Sequence, residues 1–186
     1  MAEWESRGVQ MMRELLLLRH GKSDWRQPVS DFDRPLRKRG RQGAKRIGEW
    51  LVEQALAPDY VLSSPAERTV STAEKCVRAL GRKAPWVHTD KRLYLADAEV
   101  LLAALQTVPG DCQRVLLVGH NPGLEDLVRQ LASMPPQTPD DGKLMATATL
   151  AHFRVTGEWS EVSWGAAELV EIVRARMLAE SVPEDD

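Results

Sequence analysis

Three short apolar runs punctuate this chain, and each ends in the same kind of polar signature. Leu15-Leu16-Leu17-Leu18 leads into Arg19-His20-Gly21, and Tyr60-Val61-Leu62 leads into Ser63-Ser64-Pro65-Ala66-Glu67-Arg68. Val115-Leu116-Leu117-Val118 leads into Gly119-His120-Asn121-Pro122. Runs of this length, bounded by turn chemistry, read as strands buried on both faces, the habit of a parallel sheet. Between them the spacing turns helical. From Leu36 to Leu56 the positions Ala44, Ile47, Leu51 and Ala55 share one face, and Pro58 closes the segment. Ala66 to Leu80 predicts a second helix, opened by Ser64-Pro65 as cap and first-turn proline. Asp97 to Leu105 and Pro122 to Leu131 predict a third and a fourth, and Trp86-Val87-His88 a short strand. This alternation predicts an α/β three-layer sandwich: a central, mostly parallel sheet with helices on both faces.

The remaining segments are less regular. Lys22 to Pro35 is a long polar loop, of a length that compact domains usually reserve for function. Met134 to Lys143 is a second loop, rich in proline, aspartate and glycine. Thr147 to Val155 and Trp159 to Trp164 predict a hairpin around Thr156-Gly157-Glu158. Glu168 to Met177 fits a strand or a terminal helix, since periodicity alone does not separate them. Neither a repeat nor a linker tract divides the chain. One domain is therefore expected over residues 1–186, with residues 1–12 and 180–186 as flexible termini.

Composition narrows the function. In 186 residues, 25 Lys and Arg against 27 Asp and Glu leave a net charge of −2, which argues against general binding to nucleic acid or to an anionic membrane. Any attraction for phosphate must be local. Cys76 and Cys112 are far apart and form no CxxC pair, so neither a disulfide framework nor a zinc site is indicated. No apolar run approaches the roughly 18 residues that span a bilayer, and the start shows no export signal; a cytoplasmic protein is expected.

The chemistry gathers at the strand ends, where α/β sheets place their ligands. Arginine suits a phosphoryl clamp because its planar fork is always charged and binds two oxygens together. Histidine suits covalent catalysis because its ring is neutral and nucleophilic near pH 7. A lone histidine is more often structural, but His20 and His120 each follow a buried strand and Arg19 sits beside one of them. Arg68 lies in the first turns after the second strand, where a phosphate would sit. Gly21 lets the backbone turn closely beside a ligand. Gly21-Lys22-Ser23 is not a P-loop, because that motif needs a glycine where Leu16 stands. The run Arg34, Arg37, Lys38, Arg39, Arg41 reads as a solvated helix face, or as a dock for an acidic phosphoprotein through residues such as Lys38 and Arg41. His88 and His152 are isolated and receive no role; the six tryptophans are scattered and read as packing.

Together these residues resemble a family. Arg19-His20-Gly21, Arg68 within the Ser-x-x-x-Arg-x-x-x-Thr-Ala stretch from Ser64 to Ala73, and Gly119-His120-Asn121-Pro122 resemble the histidine phosphatase superfamily. Asp31-Phe32-Asp33-Arg34-Pro35-Leu36, Gly40 and Leu93-Tyr94-Leu95-Ala96 are similar to its short branch, the SixA-like phosphohistidine phosphatases. The likeness runs from about Glu14 to Met177. It implies a phosphoglycerate-mutase-like fold and a phosphatase without metal or other cofactor, in which His20 is transiently phosphorylated. Arg19, Arg68 and His120 would bind the phosphoryl oxygens, Asn121 and Gly21 would join the substrate pocket, and Asp33-Arg34 would organise the long loop.

Many members of the superfamily place a general acid in an insertion after the second arginine motif. Here that region is short and runs directly into Asp97 and Glu99, which read as solvated helix-start carboxylates or as a displaced acid. The expected substrate is thus phosphohistidine on a signalling or phosphotransfer protein, released as inorganic phosphate, and a monomer is expected. A phosphomonoesterase of small phosphorylated molecules, with Asp97 or Glu99 as its acid, is the alternative. A third reading is a phosphate-binding module without turnover.

Overall fold

The computed structural model describes residues 11–81 and 84–178. A six-stranded mixed sheet forms its centre, in the order β3-β2-β4-β1-β5-β6. The strands are β1 (Met12–Arg19), β2 (Tyr60–Ser63), β3 (Val87–Thr89), β4 (Arg114–Gly119), β5 (Thr149–Thr156) and β6 (Glu168–Arg174). The pairs β1–β4, β2–β4 and β2–β3 are parallel, whereas β5 lies antiparallel to both β1 and β6. Only β5 therefore runs against the rest.

The four-leucine run of β1 explains the layering. Successive strand side chains point to opposite faces. Leu15 and Leu17, with Leu117 of β4, enter one apolar cluster with helices α3 (Ala98–Leu105) and α4 (Gly123–Leu131). Leu16 and Leu18, with Leu116 and Val118, enter the other with α1 (Lys38–Glu53) and α2 (Glu67–Arg78). All four leucines are fully buried, as expected where both faces are covered. Glycines set the spacing. A methyl on Gly48 of α1 would meet the Cys76 carbonyl of α2 at 2.1 Å, and one on Gly40 would meet the Lys22 carbonyl at 2.3 Å.

Several boundaries differ from the sequence reading. Helix α1 begins at Lys38 because Leu36 forms a bridge with Ser23 instead. The cap of α2 is Ala66, without a side-chain cap bond, so Pro65 precedes the helix. No hairpin forms between 147–155 and 159–164. Trp159 is fully buried and its indole N–H donates to the Cys112 carbonyl at 2.8 Å, which folds 159–161 inward as a 3₁₀ turn. The hairpin partner of β5 is instead residues 168–174, a strand and not a helix, followed by a 3₁₀ turn at 175–177. Val170, Ile172 and Val173 suit that edge, where β-branched side chains pack well on a pleated surface. Of the expected flexible termini, Met12 already belongs to β1. Residues 1–10 and 179–186 lie outside the described residues. Among the described residues no helix is long and apolar enough to cross a membrane.

Candidate active site

The parallel register brings three loops to one edge. Arg19 of β1 pairs with Gly119 of β4, and Ser63 of β2 with Val118, so His20, Ser64 and His120 emerge side by side. The His20 and His120 rings lie 5.3 Å apart between centroids. With Arg19, Arg34, Arg68, Lys22, Trp25, Asp31 and others they line a cleft of about 370 Å³.

His20 is buried, and its Nδ1 donates to its neighbour's carbonyl, that of Gly21, at 2.7 Å. That bond assigns the proton to Nδ1 and leaves the lone pair on Nε2. Burial pushes its pKa down to about 3; the charges of His120, Arg68 and Arg19 act in the same direction, against the Gly21 bond. His120 is pushed down to about 4, by burial first and by Arg68 next, with Asp31 opposing. Its Nε2 shares a 2.7 Å hydrogen bond with the Ser64 hydroxyl, and its Nδ1 is buried without a partner.

Each arginine is half-occupied by protein. Arg19 donates to the Met145 carbonyl at 2.7 Å, and its Nε is buried and unpartnered. Arg68 donates to the backbone carbonyl of Asp31 and, at 2.9 Å, to that residue's carboxylate, while its Nε is likewise unpartnered. Arg34 pairs with the other Asp31 oxygen at 2.7 Å and stacks 3.3 Å above the Trp25 ring, leaving Nε and one terminal nitrogen buried and unpartnered. Buried donors of this kind, on residues that line one cleft, are what an oxyanion needs. Asp31 also accepts from the Tyr94 hydroxyl at 2.7 Å; despite the opposing effect of burial, the bonds from Tyr94 and Arg68 hold its carboxyl below the usual carboxylate range.

The structure thus gathers Arg19, His20, Arg68 and His120 in one cleft. Gly21 and Asn121 sit differently. The Gly21 amide is taken by the Thr72 hydroxyl at 2.9 Å, and its missing side chain makes room for Gly40, where a methyl would meet a carbonyl at 2.5 Å. Asn121 lines the cleft, but its amide N–H groups go to Glu125 at 3.1 Å and to the Met145 carbonyl at 3.0 Å, fastening the wall. Arg34 ties the long loop together through Asp31 and Trp25, as Asp33 does through Ser30, but it is buried in the cleft where a solvated face was expected. The rest of that basic run is divided: Arg37 reaches Asp24 at 3.4 Å, and Arg41 donates to the Leu36 carbonyl at 2.6 Å. Asp97 caps α3 through the Val100 amide and Glu99 is exposed; neither lines the cleft. Asp31, Thr72 and Tyr94 lie in motifs that the sequence presents, but the sequence alone assigns none of them a role. The Asp-x-x-Arg-Pro spacing of 31–35 was the available signal. Among the described residues no group of three or more His, Cys, Asp or Glu could hold a metal ion.

Residues 15–94 match the model of the histidine phosphatase superfamily (branch 1). An uncharacterised protein of Mycobacterium tuberculosis strain H37Rv is 32% identical over 157 residues, covering 82% of this chain and 96% of that protein. A solved structure assigned as phosphohistidine phosphatase SixA of Nakamurella multipartitia shares 29% identity at a TM-score of 0.76, over 88% of this chain and 96% of the other. One assigned likewise from Agrobacterium tumefaciens shares 27% at a TM-score of 0.68, over 87% and 97%. The chain belongs to the histidine phosphatase superfamily. Its mixed sheet between two helical layers is the phosphoglycerate-mutase-like fold of those phosphatases.

Proposed function

We propose that the chain is a metal-independent phosphohistidine phosphatase. It removes the phosphoryl group from phosphohistidine on a signalling or phosphotransfer protein through a covalent intermediate on His20. One observation carries this reading: a neutral, oriented His20 faces a cationic cleft whose lining carboxylate, Asp31, is held ionised. Nε2 of His20 attacks phosphorus in line as the substrate's P–N bond breaks. The bonding pair returns to the leaving imidazole, which departs neutral when its other nitrogen carries a proton. Arg19, Arg34, Arg68 and His120 hold the equatorial oxygens as charge shifts onto them. Water then attacks the phosphoryl group on His20, and that P–N bond breaks to release inorganic phosphate.

An alkyl ester would leave as an alkoxide and needs a proton donor, typically worth about 10²–10⁴-fold. An ionised Asp31 cannot supply that proton. The likeness to chains assigned as SixA supports the same substrate class. The test is phosphate release from a phosphohistidine-bearing protein and from an alkyl phosphate, with chelator present and His20→Ala alongside. Release from phosphohistidine alone, abolished in His20→Ala, is expected. Equal turnover of both substrates would install a phosphomonoesterase instead, and full activity in His20→Ala would overturn the covalent mechanism.

A further inference from the structure

Beside the catalytic cleft lies a second, larger groove of about 660 Å³, and the two share Arg19, Lys22 and Thr147. One wall is a stripe of α1: Arg39, Gln42, Gly43 and Arg46, at helical positions i, i+3, i+4 and i+7. The opposite wall carries Lys143 and Arg176. Small residues make the floor; a methyl on Gly43 would meet the Ala148 and Ala175 methyls at 3.0 and 3.4 Å. Among the described residues Asp141 is the acid in this lining, and it is already paired with Arg174 at 2.6 Å and with Arg176 at 2.9 Å. Among the described residues the lining therefore holds Arg19, Lys22, Arg39, Lys143 and Arg176 against one carboxylate that is already paired, in a protein whose net charge is −2. Such concentration of one sign in a concave surface attracts the opposite sign over a Debye length.

We propose that this groove docks an acidic segment of the phosphoprotein whose phosphohistidine enters the cleft; the inference rests on the function proposed above and specifies its partner. The groove is nearly twice the size of the cleft and adjoins it along Arg19, Lys22 and Thr147, so a chain lying in it places a neighbouring side chain close to the cleft of His20. The dock differs from the sequence expectation. Arg41 faces another cavity, with Lys45, Glu49 and Lys75, and Lys38 is absent from the groove lining.

The test uses two peptides that carry phosphohistidine between glutamates or between lysines, free phosphohistidine, and the unphosphorylated glutamate peptide. The variant is Arg39→Glu/Lys143→Glu, at two exposed positions outside the catalytic cleft. The glutamate peptide should show a KM about tenfold below that of the lysine peptide at low salt, an advantage that salt erodes. The variant should lose that advantage while its turnover of free phosphohistidine is unchanged. Calorimetry should show the unphosphorylated glutamate peptide binding the parent protein and not the variant. Equal KM values, or an advantage that survives in the variant, would overturn the dock. So would a short oligonucleotide that binds through Arg39 and Lys143 where the peptide does not. Calorimetric binding without any phosphohistidine turnover would uphold the dock and overturn the catalytic reading alone.

Discussion

His20 is held by contacts that run behind the cleft. The Gly21 carbonyl fixes its ring, Thr72 takes the Gly21 amide, and the same Thr72 hydroxyl donates to the Arg68 carbonyl at 2.6 Å. One hydroxyl thus ties the position of His20, the proposed nucleophile, to that of Arg68, a proposed phosphoryl clamp. Arg34 lines the same cleft from the loop side and joins the proposed clamp. Replacing it as Arg34→Gln removes a charged fork held in place by Asp31 and Trp25. Competitive inhibition by inorganic phosphate should then weaken about 10- to 100-fold, the range of a lost hydrogen bond to a charged group. An unchanged inhibition constant would remove Arg34 from the oxyanion site. The four strand-end residues were legible because each follows a buried run. The cleft positions of Asp31 and Arg34 were not, since Asp31 is placed by a bond that reaches 37 residues along the chain to Arg68, and Arg34 is placed by Asp31.

At the scale of elements, the contact between α1 and α2 depends on Gly48. Alanine is the better helix former by about 1 kcal/mol, so Gly48→Ala would stabilise an isolated helix. Here its methyl would sit 2.1 Å from the Cys76 carbonyl, and overpacking typically costs about 1–3 kcal/mol. The urea midpoint should fall; a midpoint that holds or rises would mean that the two helices separate freely. The four helices could be read from their 3.6-residue spacing, and the strands β1, β2 and β4 from continuous apolar runs bounded by turn chemistry. The predicted hairpin failed on Trp159, whose burial against Cys112 is a tertiary event without local signature. Glu168–Arg174 became a strand because β5 offered it an edge, again a partner set by distant sequence.

For the whole molecule, the two buried histidines link stability to acidity. A histidine near 6.5 when unfolded, but near 3 or 4 when folded, takes up protons preferentially in the unfolded chain across that interval. Stability therefore rises with pH through the window and falls as pH drops below about 6.5. Asp24 and Asp141, held low by their arginines, and Asp31, held low by Tyr94 and then Arg68, add losses of the same sign below about pH 4. The urea midpoint should be lower at pH 5 than at pH 7, with a smaller difference in a His20→Asn/His120→Gln variant. An equal difference in both proteins would assign the acid sensitivity elsewhere.

The reversed direction of β5 has an evolutionary reach. Five strands leave the sheet at the edge that carries the cleft, whereas β5 enters the sheet there, at Thr149. The segment that precedes it, 134–147, supplies Met145 to Arg19 and Lys143 to the groove. Insertions between Pro135 and Asp140 would lengthen one wall while every strand pairing stayed in register. Such insertions would reshape the groove wall while the sheet and the position of His20 stay as they are.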